Sequence, residues 1–242
     1  MKKLKTGLFL YPGMTMLDAY GPLQFLSFVR GLETFTFAES SGPLPCDAGI
    51  QLMPDYSFED RPEIDILLVP GAGNPLEQMQ NSRVLEHLRQ AGENAQYITS
   101  VCSGALILAE AGLLNGYEAA THWAYRETLE KLADVTVVNK RVSVDRNRIT
   151  GGGVTAGIDF ALSLTAELFG PEEAQLLQLM FEYQPEPPFN SGSPETASAE
   201  AVKMARHEVA SIAPDLMQYA EERSIARTLT AKLTQHSVSL TP

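Results

Sequence analysis

The chain has 242 residues, enough for one large domain or two small ones, and 44% of them are hydrophobic, enough for a sizeable core. Lys and Arg number 18 against 30 Asp and Glu, a net charge of −12. That balance repels phosphate backbones and anionic lipid surfaces, so neither nucleic acid nor membrane is expected as a partner. No apolar run reaches the roughly 18 residues of a transmembrane helix.

The N-terminus places Lys2, Lys3 and Lys5 before an apolar stretch, but Pro12 and Gly13 cut that stretch short of a secretory leader, which needs about 7–15 apolar residues. It reads as a first strand, Lys5–Tyr11, of a cytoplasmic protein. Further strands are expected at Thr34–Glu39, Ile64–Val69, Tyr97–Val101 and Val135–Val138, with short peripheral ones near Ile50–Met53 and Arg148–Thr150. ILLV and YITSV are near-continuous apolar runs, the pattern of central strands covered on both faces. Helices are expected at Pro22–Val29, Ser82–Asn94, Ser103–Ala111, Trp123–Leu132, Thr155–Phe169 and Glu172–Tyr183, with Pro171 at the first turn of the last. Strand and helix alternate, so the fold class is α/β with a largely parallel sheet. After Tyr183 the stretch QPEPPFNSGSPETAS, with four prolines, reads as an extended arm, followed by a helix over about Ala199–Gln218. Two units are therefore expected: residues 1–184 as the catalytic domain, and 185–242 as an arm and helical extension packed on it or on a dimer partner.

Chemistry is expected first at YITSVCSGALILAEAGLL. An apolar strand ends at Val101, and Ser103-Gly104-Ala105 opens a helix, so Cys102 sits on a strand–turn–helix elbow. A core cysteine is the bland alternative. The place at the carboxyl end of a central strand, where open α/β sheets bind ligands, favours a nucleophile. The helix N-terminus is expected to hold the thiol below its free value of about 8.5, and the Ser103 N–H to stabilise developing negative charge. Asp18 follows Met14, Met16 and Leu17; apolar surroundings would raise its pKa, although spacing alone favours a helix cap near Gly21-Pro22. In LLVPGAGNP, Gly71 and Gly73 allow close approach to the backbone; with no GK[ST], a Walker A loop is excluded. The G-x-G-x-x-A run at Gly151, Gly153 and Ala156 follows a short, late strand, so a loop near Cys102, including Gly152 and Val154, fits better than a dinucleotide site. His122 lies 20 residues past Cys102 and could orient or activate it; beside Trp123 a structural role is the commoner one. His87, His122, His207 and His236 share no metal-ligand spacing, and neither metal nor cofactor is expected. Cys46 and Cys102 read as free thiols.

With Cys102 at the elbow, Asp18 after the first strand and THW at 121–123, the chain resembles the DJ-1/PfpI superfamily over nearly its whole length. Within it, LDAYGP at 17–22, PGAG at 70–73, TSVCSG at 99–104, AGLLNG at 111–116, TGGGVTAGIDFAL at 150–162 and PPFNSGSP at 187–194 resemble the isonitrile hydratases most. The resemblance implies a flavodoxin-like sandwich (also seen in class I glutamine amidotransferases), a homodimer, and hydration of a small-molecule isonitrile to an N-substituted formamide without cofactor. It also implies Cys102 as nucleophile through a thioimidate, Asp18 as proton donor and then activator of water, and Ser103 as a hydrogen-bonding hydroxyl. Gly71, Ala72, Gly73, His122, Gly152 and Val154 would line the substrate site. Those hydratases carry Thr where Ser103 stands and a double glycine where Ala72 interrupts the turn. Relatives with glyoxalase-like or hydrolase-like activity place His after the cysteine and Glu where Asp18 stands, which argues against those activities. Two rivals remain: a ligand sensor of the kind joined to AraC-type DNA-binding domains, and a redox protein built on an oxidisable Cys102. The 72 residues after Gly170 carry a net −5, short and acidic for two helix-turn-helix units.

Overall fold

The computed structural model describes residues 2–238, with side chains through 230. The chain begins with β1 (Leu4–Leu10), α1 (Met16–Leu26) and β2 (Leu32–Ala38). Short strands β3 (Leu44–Pro45), β4 (Gln51–Leu52) and β5 (Tyr56–Ser57) follow, then β6 (Ile66–Val69), α2 (Leu76–Gln80), α3 (Ser82–Asn94) and β7 (Tyr97–Val101). Next come α4 (Gly104–Glu110), β8 (Tyr117–Ala119), a 3-10 turn (Trp123–Tyr125), α5 (Arg126–Leu132), β9 (Val135–Val137), β10 (Val142–Asp145) and β11 (Arg148–Gly151). The helices α6 (Ala156–Phe169), α7 (Pro171–Met180), α8 (Ala199–Ile212) and α9 (Leu216–Val238) complete the described chain.

The main sheet has seven strands in the order β10-β11-β7-β6-β1-β2-β5, parallel except for the β10–β11 pair. β6 and β1 carry runs of wholly buried Ile, Leu and Phe because α1 and α6 cover one face while α3 and α4 cover the other. Helix α3 shows how such a cover forms: Val84, Leu88 and Gly92, four apart, face the sheet, and the Asn81 side chain caps its first turn by accepting from Arg83 and Val84 N–H.

Four expectations are corrected. Helix α1 begins at Met16, six residues before Pro22, because Asp18, Ala19, Pro22, Phe25 and Leu26 form one buried stripe; Pro22 sits inside the helix. Its ring meets Gly157 of α6, where an added Cβ would lie 3.0 Å from Pro22 Cδ. Arg148–Thr150 is no peripheral strand: β11 is buried throughout, between β7 and β10. The Arg148 guanidinium tolerates that burial by donating to Leu113 O and lying 4.2 Å above the Tyr117 ring. The strand at Val135 pairs with β8 in a separate two-stranded ribbon. The single helix expected after the arm divides into α8 and α9 at Ala213-Pro214-Asp215, since a residue before proline is pushed away from helical geometry.

Candidate active site

At the carboxyl end of β7 the chain turns sharply. Cys102 has φ +59°, a left-handed conformation that costs an L-residue energy unless its surroundings hold it there. They do: its N–H donates to the carbonyls of Gly151 and Gly152 at 3.1 and 2.8 Å, and its carbonyl accepts from Thr121 Oγ1 at 2.8 Å. Two residues on, a Cβ at Gly104 would lie 2.2 Å from Val69 O, so only glycine lets α4 start this close to β6. The elbow read from the sequence is thus strained backbone, gripped from three sides.

Asp18, in the first turn of α1, faces this elbow. It is wholly buried, and its Oδ2 accepts from Gly71 N–H at 3.0 Å, while Oδ1 has no hydrogen-bond partner in good geometry. The cap expected from spacing is therefore overturned: Thr15 occupies the cap position, and the carboxyl reaches across to the loop after β6. Burial pushes the Asp18 pKa up to about 7, against the opposing pull of the Cys102 thiol and the Gly71 N–H. The Cys102 thiol, 5% exposed, is pushed well above its ordinary value by burial and then by the Asp18 carboxylate; the Ser103 N–H opposes this. This corrects the expected depression of the thiol. A short helix's N-terminal field is outweighed by desolvation and a neighbouring carboxylate, so the thiol keeps its proton while Asp18 titrates near 7.

The Ser103 hydroxyl clasps the loop between β6 and α2, donating to Ala72 O at 2.7 Å and accepting from Ala72 N–H at 2.9 Å. Ala72 and Gly71 therefore present no free N–H to a ligand; the Ser103 N–H instead approaches the Cys102 sulfur. A Cβ at Gly71 would lie 2.6 Å from Ser103 N and 2.8 Å from Asp18 Oδ2, so the backbone there is seated directly on the pair. Gly152 holds the elbow through its carbonyl, Val154 is half-buried against the core, and Gly73 is gripped through its carbonyl by the Tyr125 hydroxyl. Among the described residues no hydrogen bond joins His122 to the thiol. Its Nδ1 accepts from Ala124 N–H and caps the 3-10 turn, and burial with nearby Arg126 lowers its pKa. His236 lies outside the described side chains; among the described residues no three His, Cys, Asp or Glu gather in metal-binding geometry.

Sequence reasoning missed Tyr11, Thr121 and Tyr125. The Tyr11 hydroxyl donates to Pro70 O at 2.9 Å, and its pKa is pushed well up by burial, Asp18 and Cys102. Tyr125 is pushed up to about 12 by burial and Cys102. Tyr11 immediately follows β1, the same strand-end position that singled out Cys102 after β7, and that was its only sequence signal.

The DJ-1/PfpI family model matches residues 5–167. The chain belongs to the DJ-1/PfpI family. It is 43% identical over 207 residues to the isonitrile hydratase of Pseudomonas putida, covering 86% of this chain and 90% of that one. Among solved structures, a ThiJ/PfpI family protein from Pseudomonas syringae superposes with a TM-score of 0.86 at 39% identity, covering 93% of this chain and 91% of the other. The HTH-type transcriptional regulator GbdR of Pseudomonas aeruginosa is 28% identical over 178 residues, but the match spans 47% of that longer protein. The mostly parallel sheet between two helical layers is the flavodoxin-like arrangement of this DJ-1/PfpI fold.

Proposed function

We propose that this protein is an isonitrile hydratase, converting R–N≡C and water to R–NH–CHO. The observation that carries the reading is the buried Cys102–Asp18 pair on a left-handed elbow, in a chain 43% identical to an isonitrile hydratase over most of its length. An isonitrile carbon is electrophilic toward sulfur and must then gain a proton. Asp18, poised near 7, takes the thiol proton as sulfur bonds to that carbon and returns it to the same carbon, giving the thioimidate R–N=CH–S. The carboxylate then accepts a proton from water, whose oxygen bonds to the carbon. The C–S bond breaks, and the protons end on nitrogen and sulfur, leaving the formamide and the starting thiol. Ser103, Tyr11 and Tyr125 hold the loop 70–73 on which Asp18 rests.

In the same reading residues 1–184 carry the chemistry, residues 185–242 form an extension, and the protein works as a cytoplasmic homodimer. Exposed Phe28 in the turn after α1 and exposed Leu179 and Met180 on α7 support a dimer face; both cysteines are free thiols, and no helix among the described residues is long and apolar enough to cross a membrane. The kinship to GbdR favours a ligand sensor as second reading. A peroxide sensor needs an exposed, easily ionised thiol, the opposite of Cys102. The test is incubation with an aliphatic and an aromatic isonitrile, following the formamide proton by NMR. Turnover is expected, and Cys102→Ala lowers it by about 10³-fold or more. Stoichiometric binding without formamide would overturn the hydratase in favour of the sensor.

A further inference from the structure

The C-terminal extension is no loose tail. Leu216 and Ala220 of α9 and the preceding Ala213 are buried in the main core, Arg223 pairs with the buried Glu110 at the end of α4, and Arg227 donates to Lys131 O on α5. Glu110 closes α4, which starts two residues after Cys102, so α9 is bolted to the helix that follows the nucleophile. That anchoring fixes where α8 ends. Ile212, its last residue, lies against Gly73: a Cβ there would be 3.0 Å from Ile212 Cγ2, and the Asn74 side-chain amide donates to Ile212 O at 3.4 Å. Two turns earlier, Arg206 sits 5.1 Å over the Trp123 ring. Gly73 and the Trp123–Tyr125 turn are themselves joined by the Tyr125 hydroxyl, which lies close enough to Cys102 for the ionisation of one to oppose that of the other. Helix α8 thus lies across the seam between the two segments that flank the thiol, with Ile212 54% exposed.

We infer that α8 is the outer wall of the substrate entrance and that Ile212 sets the size of the isonitrile substituent that enters. The inference rests on the hydratase reading for its substrate, and on the geometry above for its place. Sulfur and carboxyl are sealed below, so the substituent on nitrogen must point outward as the carbon meets sulfur, toward the seam Ile212 overhangs. An apolar β-branched side chain there suits an alkyl or aryl group and limits its girth.

The experiment compares wild type with Ile212→Ala, Ile212→Val and Ile212→Trp on methyl and cyclohexyl isonitrile. The ratio of kcat/KM for cyclohexyl over methyl is expected to rise about tenfold in Ile212→Ala, with KM carrying the change, to rise less in Ile212→Val, and to fall in Ile212→Trp. In parallel, Cys102 is alkylated with N-ethylmaleimide and N-cyclohexylmaleimide, with the Cys102 peptide followed by mass spectrometry, and the rate ratio moves in the same order. Movement of the alkylation ratio without wild-type formamide would sink the hydratase and leave the wall standing. Ratios constant within about twofold across the Ala, Val and Trp variants, in folded protein, would overturn the wall.

Discussion

The two ends of the central sheet differ in a way that separates room from reactivity. Along α3, reaching to the amino ends of β1 and β6, a groove of about 680 Å³ runs past Lys2, Phe58, Arg61, Glu63, Arg83 and His87. It is rich in charge, yet its ion pairs, Lys5–Glu63 and Arg83–Glu59, stand in solvent, where water and salt screen them. His87 is spent stacking on Phe58 at 3.8 Å. At the carboxyl ends Asp18, Ser103 and Cys102 are nearly sealed, and two acids share one dry site. Volume and charge accumulate wherever the surface is uneven; the upward displacement of two neighbouring acids needs them held away from water, as happens where the elbow and the loop 70–73 close over each other.

The contrast can be broken from the reactive side first. Asp18→Asn keeps the acceptor for Gly71 N–H but cannot shuttle a proton, so isonitrile turnover should fall about 10²–10⁴-fold with the fold intact by circular dichroism; near-normal turnover would return the carboxyl to a structural role. The same residue gives a stability signature. Its folded pKa, about 7, stands above the ordinary 3.8, so the folded state holds the proton more tightly than the unfolded chain. Its stabilising contribution is full below about pH 4 and is lost as pH rises toward 7, on the order of 4 kcal/mol. Urea melts between pH 4 and 7.5 should show wild type losing stability that Asp18→Asn keeps; parallel curves would contradict the desolvated carboxyl. Ser103→Ala strands both the Ala72 N–H and carbonyl, and should lower stability by about 1–3 kcal/mol while weakening turnover, read by urea melts and the formamide assay. At the far end, Arg61→Ala and His87→Ala should leave turnover within about twofold; a larger loss would erase the distinction between the two ends.

Much of this was legible beforehand, for identifiable reasons. The elbow was read because an apolar strand running into Ser103-Gly104 leaves the chain few other paths. Helix α3 was read residue for residue because its stripe and its Asn81 cap agree. Asp18 was misread as a cap because Pro22 is a strong local signal for a helix start, and only the buried stripe of α1 overrides it. Tyr11 and Tyr125 were missed because each acts on a backbone carbonyl more than fifty residues away.

The order of residues alone determined the layered α/β architecture and the sharp turn that projects Cys102, since hydrophobic runs and small turn residues act over a few positions. Which group holds the proton was decided by tertiary structure alone: desolvation depends on what covers an atom, and Asp18, Gly71 and Ser103 come from three separate stretches of chain. Helix polarity, which is local, pointed toward an ionised sulfur; burial, which is not, keeps the proton on the thiol and lifts the carboxyl to about 7.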